Sequence, residues 1–167
     1  MKIIAACDKN WAIGKDNRLL VSIPADMKRF KALTTGNVII AGRKTLATFP
    51  GGLPLPDRTN IIMSRDAGLT IKGARMAHSL DELKELLKGY DTGKVFVVGG
   101  ETIYSQLLGM CDHAYITKID YEYKADAYFP NLDEDPDWEI THESDEHTYF
   151  DLEYRFIEYK RKNRPVQ

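Results

Sequence analysis

The chain has 167 residues, of which 43% are hydrophobic and 29% charged, and its formal net charge is −2. That length and mixture fit one ordinary soluble globular domain, 1–167, with a proper core. The near-neutral charge excludes a basic nucleic-acid binder. After Met1-Lys2 only five apolar residues precede Asp8, too few for a signal peptide or membrane span, so no membrane partner is expected and the cytoplasm is the default.

In chain order, residues 3–7 are apolar throughout and predict a buried strand ending at Cys7. Residues 9–22 read as a loop of mixed character. Pro24 suits the first turn of a helix over 24–33. Residues 37–41, 60–64 and 94–98 read as buried strands, and 74–77 as a further short one. Ser79-Leu80-Asp81-Glu82 is a capping box, with Glu82 reaching back toward the cap. Leu80, Leu83, Leu86 and Leu87 form the apolar stripe of that helix, and Gly89 ends it. A helix over 100–108 stops at Gly109, and 113–119 is another strand.

The final third alternates. Residues 138–142 and 150–160 read as half-buried strands, with Phe150, Leu152, Tyr154 and Phe156 spaced by two. The phase slips at Ile157 and Tyr159, which predicts a bulge. Residues 133–137 read as a solvated acidic loop and 160–164 as a solvated, fraying basic end. The whole predicts an α/β fold: a mostly parallel twisted central sheet, an antiparallel C-terminal edge and flanking helices. Cys7 and Cys111 have no CxxC spacing and read as buried thiols in a reducing compartment.

Asp26 is the most informative residue. It falls at i of an i, i+4, i+7 set with Phe30 and Leu33, so an acid shares an apolar helix face, while Lys28, Arg29 and Lys31 point elsewhere. Two readings stand. The acid is mostly solvated in the first turn and favoured by the helix dipole, or it is buried and waits for a ligand with N–H donors, since burying an unpartnered carboxylate is costly.

Three strands end in anion-seeking turns: Gly42-Arg43-Lys44-Thr45, Ser64-Arg65 and Gly99-Gly100-Glu101-Thr102. In a parallel sheet these share the carboxyl edge, where α/β proteins bind ligands. Glycines admit phosphates to backbone N–H groups, helix starts favour them, and Arg43, Lys44 and Arg65 add cations. A ligand with several phosphates fits, such as a dinucleotide with an extra 2′-phosphate. A P-loop is excluded because Gly36 and Gly42 are six apart and Arg follows the second glycine; GxGxxG is also missing. His78, His113, His142 and His147 make no metal pattern, and no GxSxG elbow occurs. No metal is expected.

Ala5-Ala6, Ile13-Gly14, Pro24-Ala25-Asp26 with Phe30, the Gly42–Thr45 turn and Leu55-Pro56-Asp57-Arg58-Thr59-Asn60-Ile61-Ile62 occur in that order. Val98-Gly99-Gly100-Glu101-Thr102-Ile103-Tyr104, Thr117 and Asp126-Ala127-Tyr128-Phe129-Pro130 complete the set. Over nearly its whole length the chain therefore resembles the dihydrofolate reductase family. The resemblance implies reduction of 7,8-dihydrofolate to tetrahydrofolate by NADPH in one-carbon metabolism, by a monomer open to antifolate inhibitors.

The family likeness implies that Asp26 binds the pterin 2-amino group and N3, with Thr117 supporting it and Leu19 beside them in the catalytic group. Ile4, Ala6, Met27, Phe30, Phe49, Leu55 and Val98 would bind the substrate rings, and Arg58 the glutamate carboxylate, a task suited to a guanidinium. The cofactor would lie on Ala6, Ile13 and Gly14, on Gly42 to Thr45, on Ser64 and Arg65, and on Val98 to Tyr104, with Gly99–Gly100 a cis peptide. Hydride would pass to pterin C6, and N5 would take its proton from a water gated by the 9–22 loop. One departure is Leu20-Val21, where the family usually has Pro-Trp, whose indole often holds a water. The alternatives are a related pterin or riboflavin-pathway pyrimidine reductase, which Asp26 with Arg58 argues against, and a non-catalytic nucleotide-binding module.

Overall fold

The computed structural model describes residues 1–162. Solid apolar runs become parallel strands because both of their faces are covered. In chain order the elements begin with β1 (Lys2–Cys7), β2 (Ala12–Lys15), β3 (Arg18–Leu19), α1 (Pro24–Thr34), β4 (Val38–Gly42) and α2 (Arg43–Leu46). Then come β5 (Thr59–Met63), β6 (Ala74–Ala77), α3 (Leu80–Leu87), β7 (Val95–Gly99), α4 (Glu101–Leu107) and β8 (His113–Ile119). The chain closes with β9 (Ala127–Tyr128), β10 (Trp138–Glu143), β11 (His147–Tyr149) and β12 (Leu152–Arg161).

The main sheet runs β10-β12-β8-β1-β7-β4-β5-β6, with β11 added to β12. From β8 to β6 every pairing is parallel, and β12 joins β8 antiparallel. This is the mostly parallel sheet with an antiparallel C-terminal edge that the sequence predicts. One face is covered by α3 and α4: Leu83, Leu87, Ile103, Tyr104 and Leu107 pack on Ile3, Val97 and Ile116. The other is covered by α1, where Phe30 and Leu33 pack on Ile39, Ile62 and Phe96. Each fully buried Ile or Leu in these layers contributes about 1.5–3 kcal/mol. Among the described residues no helix is long and apolar enough to cross a membrane.

Several local expectations change. The 9–22 loop contains a hairpin, β2 with β3, which pairs with β9 as a second, three-stranded sheet. Its turn is Asp16-Asn17, both at positive φ (51° and 61°), the conformation of a two-residue hairpin turn. Ser79 caps α3 by accepting from the Glu82 N–H at 3.1 Å, but the Glu82 carboxylate accepts from the His78 N–H, one residue upstream of the cap. α4 starts at Glu101 with Gly100 as its cap, and its end runs into a 3-10 turn, Leu108–Met110, that carries the chain through Gly109.

At the C-terminal edge Phe150 lies outside the strand, 85% exposed at φ 54° in the β11–β12 turn. β12 pairs with β8 without a break; the bulge sits in β10, between Ile140 and His142. The slip at Ile157 and Tyr159 reflects a strand covered on both sides. His142 and His147 lie in strands and not in a loop. Arg161, expected to fray, is anchored: it donates to Cys111 O at 2.9 Å and Leu108 O at 2.7 Å, and its guanidinium lies 4.7 Å from the Trp138 ring. Asn163 and Arg164 of that basic run lie outside the described residues.

Asp8 ties the two sheets together. It is fully buried, and its carboxylate accepts from the N–H groups of Asn10 (2.8 Å), Ala12 (2.9 Å) and Tyr123 (2.9 Å). Asp8→Ala would leave those three donors unmatched, and we expect a loss of about 3 kcal/mol in urea unfolding at neutral pH. A loss under about 1 kcal/mol would show that water replaces the carboxylate freely.

Candidate active site

The carboxyl ends of β1, β4, β5, β6 and β7 open into one cleft of about 900 Å³. Its walls carry all three expected turns: Gly42 to Thr45, Ser64 with Arg65, and Val98 to Tyr104. Ala6, Ile13, Gly14 and Leu19 also line it, so every residue expected to hold the cofactor meets in a single cavity, with Leu19 from the catalytic set beside them. The floor stays bare for steric reasons. A Cβ on Gly42 would come within 3.1 Å of Ile103, and one on Gly100 within 3.3 Å of the Thr45 hydroxyl. Gly99 has φ 123°, and the Gly99–Gly100 bond is cis, as the resemblance implies. Register slips by one residue between β4 and β7, Ala41 facing Gly99, so Val98 is the extra residue where the sheet opens.

Since α2 is one turn long, little dipole builds up there, and the positive character rests on side chains and turn N–H groups. Arg43 lies 3.7 Å from Asp66, with both side chains more than half exposed, so this surface pair is weak. Two contributors escaped the sequence reading. His78 and Ser79, after β6, line the same cleft, and the His78 Nδ1 lies 2.9 Å from the Ser64 carbonyl, joining neighbouring strand ends. The signal available was β6 itself, a parallel strand whose following turn belongs to the same edge. The second is the role of Asp126, read from the sequence only as part of a motif: it accepts from the Asp16 N–H at 3.0 Å while its own N–H donates to Gly14 O at 3.1 Å. It holds the β2–β3 turn beside the cleft.

The residues expected to bind substrate form a separate, apolar layer. Ile4, Phe30, Phe49 and Leu55 pack against Val98, Phe96 and Ile62 on the α1 side of the sheet, and Met27 is 48% exposed at its rim. Arg58 is fixed at the end of that layer: its Nε donates to Pro56 O at 2.8 Å and its guanidinium to the Thr34 hydroxyl at 3.1 Å. The loop before it is pinned by buried Asn60, whose side chain bonds the Leu55 N–H and C=O and the Arg58 C=O. Asn60 has a structural role that its place in an apolar strand did not announce.

Asp26 is not among the residues that line the cleft; Val98 is the residue common to cleft and layer. Thr117 donates its hydroxyl to the Asp26 carboxylate at 2.5 Å. Thr117 is the register partner of Ala6, which lines the cleft. Burial raises the Asp26 pKa above the ordinary carboxylate value; the Thr117 hydrogen bond and the Arg29 charge pull it back only in part. Among the described residues no ion pair involves Asp26. Asp26 is half-buried, nearer to the buried expectation than to the solvated one. Val21, in place of the usual indole, packs with Ile23, Ile119 and Tyr154, so this side of the site is closed by apolar contact.

A phosphate-friendly cleft that shares Val98 with an apolar layer, on the side of the sheet where α1 carries its acid, defines a nucleotide-binding α/β enzyme working on a small molecule. A family model described as dihydrofolate reductase matches residues 1–161. The dihydrofolate reductase of Bacillus subtilis (strain 168) is 35% identical, the match covering 98% of this chain and 95% of that protein. That of Staphylococcus haemolyticus is 39% identical, covering 83% and 80%. In three dimensions, dihydrofolate reductase from Enterococcus faecalis complexed with NADP(H) and RAB-propyl superposes with a TM-score of 0.85 at 28% identity, covering 97% of this chain and 96% of that one. The chain belongs to the dihydrofolate reductase family.

A raised native pKa means that folded Asp26 binds its proton more tightly than the unfolded chain does. Its contribution to stability is therefore present below the ordinary carboxylate pKa and is lost as pH rises through the folded value. Asp26→Asn keeps an acceptor for Thr117 and removes the buried charge. It should be more stable than the native chain in urea at pH 7, with the gain shrinking toward about pH 4. An Asn variant less stable at pH 7 would contradict the assigned desolvation.

Proposed function

We propose that this chain reduces 7,8-dihydrofolate to 5,6,7,8-tetrahydrofolate with NADPH, and that Asp26 is the group that binds and polarises the pterin. The observation that carries the reading is the Thr117–Asp26 pair, next to the cleft-lining Ala6: an acid held half-buried, in no direct ion pair among the described residues. The donor set suits the cofactor: Arg43, Lys44 and Arg65 offer cations, Ser64 and Thr45 hydroxyls, and the glycine turns bare backbone. NADPH, when bound, supplies the hydride that reaches pterin C6.

The chain's own residues do the rest. Asp26 accepts from the pterin 2-amino group and N3, and its negative charge makes protonation at N5 easier, the proton coming from water. Thr117 fixes the carboxylate's orientation. Ile4, Ala6, Met27, Phe30, Phe49, Leu55 and Val98 exclude water around the rings, which strengthens that electrostatic effect. Arg58, pre-oriented by Pro56 and Thr34, pairs with the glutamate carboxylate. Leu19 is 60% exposed beside the cleft and has no proton to transfer; its part is to cover the reacting faces. Ile13, Gly14 and the stretch from Gly99 to Tyr104 hold the cofactor. We place the enzyme in the cytoplasm as a monomer acting on small molecules, antifolates among its ligands.

Spectrophotometric oxidation of NADPH with dihydrofolate tests the activity directly; thermal stabilisation by NADPH without turnover would favour a non-catalytic binding module. Asp26→Asn should fold and lose roughly 100-fold or more of its turnover at pH 7. Near-native turnover would remove Asp26 from its role.

Charged hydrogen bonds to a 2′-phosphate are worth about 1.5–3 kcal/mol each. Arg43→Ala combined with Arg65→Ala should therefore raise KM for NADPH by about tenfold or more while leaving KM for NADH within about twofold. Equal effects on the two cofactors would put the phosphate elsewhere.

A further inference from the structure

We propose that Arg29 is a positioning residue for Asp26: seated on Phe156, its guanidinium supplies a counter-charge that favours the ionised carboxylate without a direct ion pair to its oxygens. The assignment rests on the role given to Asp26 above. Helical spacing sends Arg29 away from the Asp26 face, but residues at i and i+3 are neighbours, and a long side chain can lie back along the surface. The Arg29 guanidinium carbon is 4.4 Å from the centre of the Phe156 ring and 5.6 Å from that of Tyr115. Phe156 is the register partner of Thr117, the residue that donates to Asp26. Tyr115 lies two residues before Thr117 on β8, on the same side of the strand. One strand face therefore presents the hydroxyl that orients the acid and the rings that hold the cation.

The geometry avoids a conflict. A direct salt bridge would occupy the oxygens that a pterin amidine needs, whereas a cation stacked on a ring keeps its charge close and its N–H donors off the carboxylate. Among the described residues Arg29 forms no ion pair. The other titratable groups bearing on this corner are neutral at working pH or act elsewhere. Burial pushes up the Cys7 thiol from β1, the Tyr104 phenol from α4 and the Tyr115 phenol from β8. Glu158 of β12 acts on Tyr115. Arg29 is the cation whose charge favours the ionised form of Asp26, against desolvation.

The test is a carboxyl carbon-13 NMR titration of Asp26, assigned with Asp26→Asn, alongside the pH profile of kcat/KM for dihydrofolate. Arg29→Met should raise the proton affinity of Asp26 about threefold to tenfold and move the acid limb of the profile to higher pH with it. Arg29→Lys keeps the charge without the planar stack and should restore part of the shift. Phe156→Leu, which removes the platform and not the charge, should fall between native and Arg29→Met. Urea midpoints establish that each variant is folded; if Arg29→Met is not, the other two variants carry the test. An unmoved Asp26 midpoint overturns the proposal even where Asp26→Asn abolishes turnover, which leaves the role of Asp26 standing. A moved midpoint with an unmoved acid limb, or with full turnover in Asp26→Asn, overturns the functional part of the proposal and the reading of Asp26 together.

Discussion

A carboxylate on the apolar face of α1 has to be held against its own desolvation, and the surrounding structure answers that demand. Thr117 reaches it from β8 with a hydroxyl, 91 residues further along the chain. This contact requires β8 to lie beside β1 and α1 to cross that face of the sheet. Phe30 and Leu33 secure the crossing by packing on Ile39, Ile62 and Phe96. The layer that locates the acid is thus the layer that dries it. A solvated acid would bind a pterin weakly because water competes for its oxygens; a wholly buried one would be protonated. Half-burial, one hydroxyl donor and a cation at a distance lie between those limits.

The cleft and the apolar layer are built by different means. The cleft is a property of topology: parallel strands place their following turns on one edge, so glycines and arginines far apart in sequence converge there. The apolar layer is a property of packing, and its polar members need individual supports. Asn60 holds the 55–58 loop, and Thr34 receives Arg58. The β2–β3 hairpin belongs to neither sheet face. It is fixed at its root by Asp8 and at its turn by Asp126, with the exposed Leu19 between those anchors.

Much of this was legible in the residues because buried parallel strands read as unbroken apolar runs. Residues 37–41 and 94–98 are each within one position of β4 and β7. The three turns that line the cleft were legible for the same reason. The misses have physical causes. β2 and β3 are four and two residues long, too short for a period, and their turn is Asp-Asn without the glycine that usually marks it. β12 breaks alternation because both its faces are covered, and the resulting bulge was assigned to the wrong strand of the pair. A face count follows Cβ directions and ignores the reach of a guanidinium, so it does not show that Arg29 lies over Phe156 and Tyr115. Arg161 was taken for a frayed end because its partners, two main-chain carbonyls, carry no sequence signal.

The position of β1 has a consequence for how the chain is made. The strand is made before the other strands of its sheet, yet it is central, and its two neighbours β7 and β8 begin at residues 95 and 113. Until those segments emerge, β1 has two open edges and an apolar sequence, the state in which strands pair with the wrong partner. Such long-range pairing is slow to form, since loop closure precedes any gain from contact. Nor does Asp26 have its hydroxyl partner before β8 is made. A nascent chain therefore offers no finished site to a ligand, and a small molecule that binds the completed site can favour folding only after nearly the whole chain has been synthesised.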